Sequence, residues 1–244
     1  MTAVKKQRIR SVDLDKNRRR LTKNLNSTVK SFKSDLESMM ESIQSISHWS
    51  NALQDTNSLG LVNEIFMDAY MSVNFSSMGL YKYANTALRS ALENSLNWVY
   101  FSNHPIEFGW WKNGEEWFLG IGGHPWGRGY DYFKLLIADT RADPIFDKGK
   151  SSTSVAGIYS ELSKSSHSNS LKMQTSVEEL SPTYDPKRFL EFRDTIRNVL
   201  SLVNAIMILA FQKEFKKMNQ HDKRGVTSTL LVEHETLLKT IGAL

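Results

Sequence analysis

Cysteine is absent from all 244 residues. Its absence excludes disulfides and every thiolate metal site. It also suits a reducing compartment, so a cytoplasmic location is expected. No apolar run reaches the ~20 residues that cross a bilayer. The most apolar stretch, VLSLVNAIMILAF from Val199 to Phe211, is shorter and is interrupted by Ser201 and Asn204. No membrane partner is expected. The opening MTAVKKQRIR has no apolar core behind it and predicts no secretory signal. Internal repeats and alternating strand–helix patterns are missing too, which argues against solenoids and α/β folds.

What is present suffices for a core. The apolar fraction is 40%, too high for a disordered chain. The length fits one large domain, or one domain with an appendage. Charge is unevenly spread. Residues 1–34 hold eleven Lys or Arg against two Asp, a formal +9, while the whole chain is only +5. The remainder is therefore net acidic, and the basic character belongs to the N-terminal arm. Lys5, Lys6, Arg8, Arg10, Arg18, Arg19 and Arg20 are the candidate phosphate contacts. The plainer reading makes them a solvated tail or the polar face of a helix.

Helical periodicity dominates the rest. Residues 1–12 lack it and read as a flexible basic arm. A helix starts near Asp13, and Val29, Phe32, Leu36, Met39, Ile43 and Ile46 form a short heptad seam. That seam can pack inside a bundle or join two copies. A turn at 51–60 follows, then helices over about 59–78 and 80–102, with Gly79 as a kink or tight break and Pro105 ending the second. Ile106 to Tyr130 holds four of the six tryptophans and a glycine cluster. It predicts an aromatic-rich loop or hairpin inserted at 104–130, with KNGE as its turn. Shorter helices follow over about 131–140 and 153–166. Asp185 and Pro186 then start a long helix reaching about Met218. Residues 219–244 predict a tail or one short helix. The expected class is all-α: a bundle of about five to seven helices over 13–218 with an aromatic insertion.

Three constellations could carry chemistry. Arg89 and Glu93 stand four apart on one helix, where side chains meet. They read as an ordinary ion pair, or as part of a site completed from elsewhere. In IYSELSKSSHS, residues Tyr159, Ser163 and His167 recur at helical spacing, with Lys164 beside them. His167 is either a general acid–base or a polar residue closing a helix. Trp110, Trp111, Trp117 and Trp126, with Lys112 and Arg128, can stack single-stranded bases or simply pack on the bundle. GIGGHPWGRG lacks the Lys-Ser/Thr ending of a phosphate loop. His221, Glu233, His234 and Glu235 match no usual ligand spacing, so neither a metal nor another cofactor is expected.

LRSALE followed by IYSELSKSSH resembles the HEPN superfamily of helical nucleotide- and RNA-binding domains, over about residues 60–215. The resemblance implies a four-to-five-helix bundle, often dimeric. It also implies a tendency toward metal-independent RNA cleavage, as in toxins and phage-defence effectors. Carried over, it makes His167 the central residue, with Arg89, Glu93, Tyr159, Ser163 and Lys164 around it. The chain departs from the family in one place. Active members carry an arginine separated from the histidine by four to six residues, where this chain has Ser160, Glu161 and Leu162. Three readings stay open. One is an RNA-binding or RNA-cleaving protein. Another is a non-catalytic adaptor that assembles with a partner protein, such as one of a defence system, and holds nucleic acid through its arm. The third is a nucleotide sensor.

Overall fold

Apolar residues that recur every three or four positions leave each segment one face to bury. In the computed structural model, which describes residues 11–54, 59–114, 132, 145, 153–166 and 184–244, these faces meet in ten helices. There is no strand among the described residues. The helices are α1 (Ser11–Ser31), α2 (Lys33–Ala52), α3 (Gly60–Ser77), α4 (Tyr81–Asn103) and α5 (Pro105–Lys112). They continue with α6 (Val155–Ser166), α7 (Pro186–Ala210), α8 (Gln212–Lys217), α9 (Gln220–Thr227) and α10 (Val232–Thr240). The class is all-α. α4 packs on α3, α6 and α7, and α2 packs on α3, α7 and α9. None of the described helices is long and apolar enough to cross a membrane.

The start of α7 follows its sequence. Asp185 accepts from the backbone N–H groups of Lys187 and Arg188, with Pro186 in the first turn. Tyr81, at the start of α4, donates its hydroxyl to the Asp185 carbonyl at 2.8 Å. Burial pushes that phenol up to about 12.

The middle of α7 is buried all round from Val199 to Leu209. The two polar residues that interrupt this run are satisfied there. Asn204 accepts from Trp49 Nε1 at 3.0 Å and donates to Ser45 at 2.8 Å and Thr229 at 2.7 Å. Ser201 accepts from the Leu231 N–H at 2.7 Å and meets His234 Nδ1 at 2.7 Å. A core helix with paired polar groups thus holds α2 on one side and α10 on the other.

The expected elements differ from the observed ones at breaks. The helix expected from Asp13 through Ile46 divides at Phe32 (φ −133°, ψ 36°). Phe32 turns its ring onto Phe189, with centroids 4.8 Å apart. The seam divides with it: Met39, Ile43 and Ile46 are buried in the bundle, while Val29 is 46% exposed. α1 instead docks by polar contacts. Asn24 donates to the Met78 carbonyl at 3.0 Å and Thr28 to the Ser77 carbonyl at 2.9 Å. Both satisfy carbonyls at the end of α3 that have no helical partner. Gly79, at φ 79°, makes a tight break between α3 and α4.

The helix expected to reach Met218 breaks at Phe211 (φ −124°, ψ 46°). The start of the expected aromatic loop is helix α5, with Pro105 in its first turn. Asn113 and Gly114 (φ 70°) close that helix and do not form a hairpin turn. Apart from Tyr132, the remainder of the insertion and the expected 131–140 helix lie outside the described residues. In the C-terminal segment, α9 packs on α2 and α10 on α7, burying Val226, Leu238 and Ala243. These breaks and additional short helices take the count above seven.

Candidate functional site

Leu88, Ala91, Leu92 and Leu96 bury one face of α4. That leaves Arg89 and Glu93 on the flank, where α6 arrives. On α6, Val155, Ile158 and Leu162 face inward, which brings Tyr159 to the same flank. Arg89 Nε donates to Glu93 Oε1 at 2.9 Å, and a terminal guanidinium nitrogen donates to the Tyr159 hydroxyl at 2.6 Å. The guanidinium carbon also lies 4.8 Å from the centre of the Tyr159 ring. Arg89 and Glu93 keep 21% and 25% of their side-chain surface exposed, so the cluster is reachable from solvent. Burial raises the Tyr159 hydroxyl above its ordinary value, and the Glu93 charge adds to this, while Arg89 opposes it. The phenol stays neutral.

The polar row continues onto α3. Asn94 donates to Asp68 at 3.1 Å. Burial raises the Asp68 carboxyl, opposed by the Ser90 and Asn94 hydrogen bonds and assisted by the nearby Glu64 and Glu93 charges.

Three of the six residues expected at this site, Arg89, Glu93 and Tyr159, are therefore assembled. Ser163 lies one turn beyond Tyr159 with its hydroxyl buried, on the side from which it opposes the rise of the Tyr159 hydroxyl. Lys164 does not join them. It is exposed and paired with Glu161 at 3.2 Å. His167 lies outside the described residues, as do Lys5, Lys6, Arg8 and Arg10 of the arm. Arg18 and Arg19 are exposed on α1, both paired with Asp15, at 2.9 and 2.8 Å. Arg20 is partly buried on the same helix. Trp110 and Trp111 pack against the core, and Trp111 lies 5.1 Å from Phe101 between ring centres. Trp117, Trp126 and Arg128 lie outside the described residues.

The histidines near the C-terminus separate completely. His234 is buried on α10, with Nε2 3.1 Å from the Thr153 carbonyl and Nδ1 facing Ser201. A carbonyl can only accept, so Nε2 carries the proton and Ser201 donates to Nδ1. This Ser–His pair has the spacing of a nucleophile and its base. Both residues are buried, however, and the serine oxygen already accepts from Leu231, so the pair holds elements together. Glu235 pairs with Lys239 on the surface.

His221 lies elsewhere, on α9 beside Asp222, and a residue that no sequence pattern singles out meets them. His48 of α2 places Nδ1 2.6 Å from Asp222 Oδ1. The His48 and His221 rings meet edge to face with centroids 5.5 Å apart. Asp222 also lines a cleft of about 920 Å³ between α8 and the ends of α2, α4, α7 and α9, together with Asn51, Asn103, Lys213, Lys217 and Asn219. No local pattern signals this cluster, because His48 and Asp222 are 174 positions apart.

Compared with protein-family models, with curated proteins and with solved structures, the chain matches none.

Proposed function

We propose that this chain is an RNA-binding protein of the HEPN kind that cleaves RNA without a metal ion at the α4–α6 flank. One observation carries the reading. The two stretches on which the resemblance rests, LRSALE and IYSELSKSSH, supply Arg89, Glu93 and Tyr159 to a single solvent-reachable polar cluster. His167, on the chain that continues from α6, would take the proton of a ribose 2′-hydroxyl and return one to the leaving oxygen. The 2′-oxygen attacks the neighbouring phosphorus, the P–O5′ bond breaks, and a 2′,3′-cyclic phosphate forms. Arg89, oriented by Glu93 and Tyr159, would stabilise the charge that develops on the phosphate. It takes the place of the arginine missing before His167. The basic arm, with Lys5, Lys6, Arg8, Arg10 and the exposed Arg18 and Arg19, would add sequence-independent affinity.

The non-catalytic adaptor reading has its own support: Arg89 is already engaged by two protein side chains, Glu93 and Tyr159. The test separates the two. Purified full-length protein is given structured and single-stranded RNA in excess chelator, beside His167→Ala and Arg89→Lys. The proposal expects cleavage in chelator that falls by about 10²–10⁴ in His167→Ala. Binding without cleavage moves the assignment to the adaptor. Neither binding nor cleavage removes both.

A further inference from the structure

The cluster formed by α2 and α9 plays no part in the proposed RNA cleavage. We propose that His48, His221 and Asp222 bind one divalent transition-metal ion at the wall of the adjoining cleft. One donor atom from each residue lies within 4.8 Å of the donors of the other two. Two imidazoles and one carboxylate suit zinc, nickel, cobalt or copper, and there is no thiolate to bias the choice.

The surroundings of the cluster fit ligands held in advance. His48 and Asp222 are mostly buried, with 14% and 13% of their side-chain surfaces exposed. The His48 Nε2 edge lies against Gly225, where a Cβ would come within 2.2 Å of it. That contact leaves Nδ1 as the nitrogen facing the cluster. Asp222 Oδ2 accepts from Asn219 Nδ2 at 2.7 Å, and the Asp222 backbone N–H is capped by Asn219 Oδ1 at 2.9 Å. One side chain thus sets the carboxylate's direction, as outer-shell partners of metal ligands commonly do. His221 is exposed and can swing onto an ion that His48 and Asp222 already hold. The 2.6 Å His48–Asp222 contact lengthens as the ion takes the place of the shared proton. Metal–ligand bonds of roughly 2.0–2.2 Å set the donors about 3 Å apart or more. Three protein ligands leave a coordination position for water or a cleft ligand, which is the arrangement of reactive rather than purely structural sites.

The test uses tag-free, full-length protein, stripped of metal and desalted. Zinc, nickel and cobalt are each titrated by calorimetry, and the cobalt complex is also read by its visible d–d absorption. The proposal expects one ion per chain for at least one of these metals, with cobalt absorption typical of low coordination number. His221→Ala, on the surface and therefore safe for the fold, should weaken binding at least about tenfold. Asp222→Asn keeps the shape and Asn219 contact and should also weaken it, with circular dichroism checking that both variants fold. Absence of one-to-one binding, or equal binding by wild type and His221→Ala, overturns the site and leaves a His48–Asp222 pair that only joins α2 to α9. RNA cleavage is not read in this experiment, so either proposal can fail without the other.

Discussion

Single residues at buried polar junctions join helices that lie far apart in the chain. Ser201→Ala would remove one partner from both the Leu231 N–H and His234 Nδ1. An unpaired buried group costs about 1–3 kcal/mol, so Ser201→Ala should lower unfolding free energy by at least ~1 kcal/mol in a urea titration. His234 also makes stability depend on pH. Burial lowers its pKa below 6.5, only partly offset by the Thr153 carbonyl and the Glu233 charge. Between the lowered folded value and the unfolded value, the unfolded chain binds more protons. This contribution is therefore complete above about pH 6.5 and is lost as pH falls through that range. His234→Asn should flatten that part of the stability–pH curve relative to wild type. A curve that keeps its acid slope in the variant would assign the slope to other groups.

Gly225→Ala is a second residue-scale test. Its Cβ would meet the His48 ring at 2.2 Å, and overpacking of this kind costs about 1–3 kcal/mol. Thermal unfolding should show the loss, whereas Gly60→Ala, with open space around it, should not. At the α4–α6 flank, a double-mutant cycle with Arg89→Ala and Tyr159→Phe should give a coupling of about 0.5–1.5 kcal/mol between helices. Strict additivity would mean that the 2.6 Å hydrogen bond contributes nothing to docking α6.

At the scale of elements, α1 is the piece held least by apolar burial. It rests on Asn24 and Thr28, which reach across to carbonyls at the end of α3. Thr28→Val should cost about 1 kcal/mol locally and release α1 before the rest of the protein unfolds. Tryptic cleavage after Arg18, Arg19, Arg20 or Lys23 should then accelerate while the bundle stays resistant. Equal cleavage rates in wild type and variant would mean that α1 is anchored otherwise. Most helices are legible as elements in the sequence. Leu61, Ile65, Ala69 and Val73 on α3 and Phe189, Phe192, Ile196 and Val199 on α7 are buried as their spacing predicts, while Phe66, expected on the same side of α3, is only partly buried. The breaks at Phe32 and Phe211 are not legible. Both residues leave helical geometry without a Pro or Gly in the break. Phe32 does so with its ring on Phe189, and Phe211 with its ring 5.8 Å from Trp98. Those partners lie far along the chain, and local propensity contains nothing of them.

At the scale of the whole molecule, the charge asymmetry makes its own prediction. Deleting residues 1–24 removes most of the arm's cations and should flatten the dependence of log affinity for RNA on log salt. The slope should fall by about 0.7 for each single-strand phosphate that the arm no longer neutralises. An unchanged slope would remove the arm from nucleic-acid binding.

The sequence by itself determined the all-α class, the buried faces of the long helices, the capped start of α7 and the pairing of Arg89 with Glu93. Each is a property of residues within a few turns of one another. The third member of the α4–α6 cluster, Tyr159, stands out within its own stretch, but only the packing of α6 on α4 joins it to Arg89 across 70 positions. The same packing leaves Lys164 out, because α6 turns its inward face at Ile158 and Leu162 and carries that lysine outward. His48, His221 and Asp222 meet for the same reason. Helical periodicity specifies which face an element buries. Which other faces it meets, and so which distant side chains share a site, is set when those faces compete for one core.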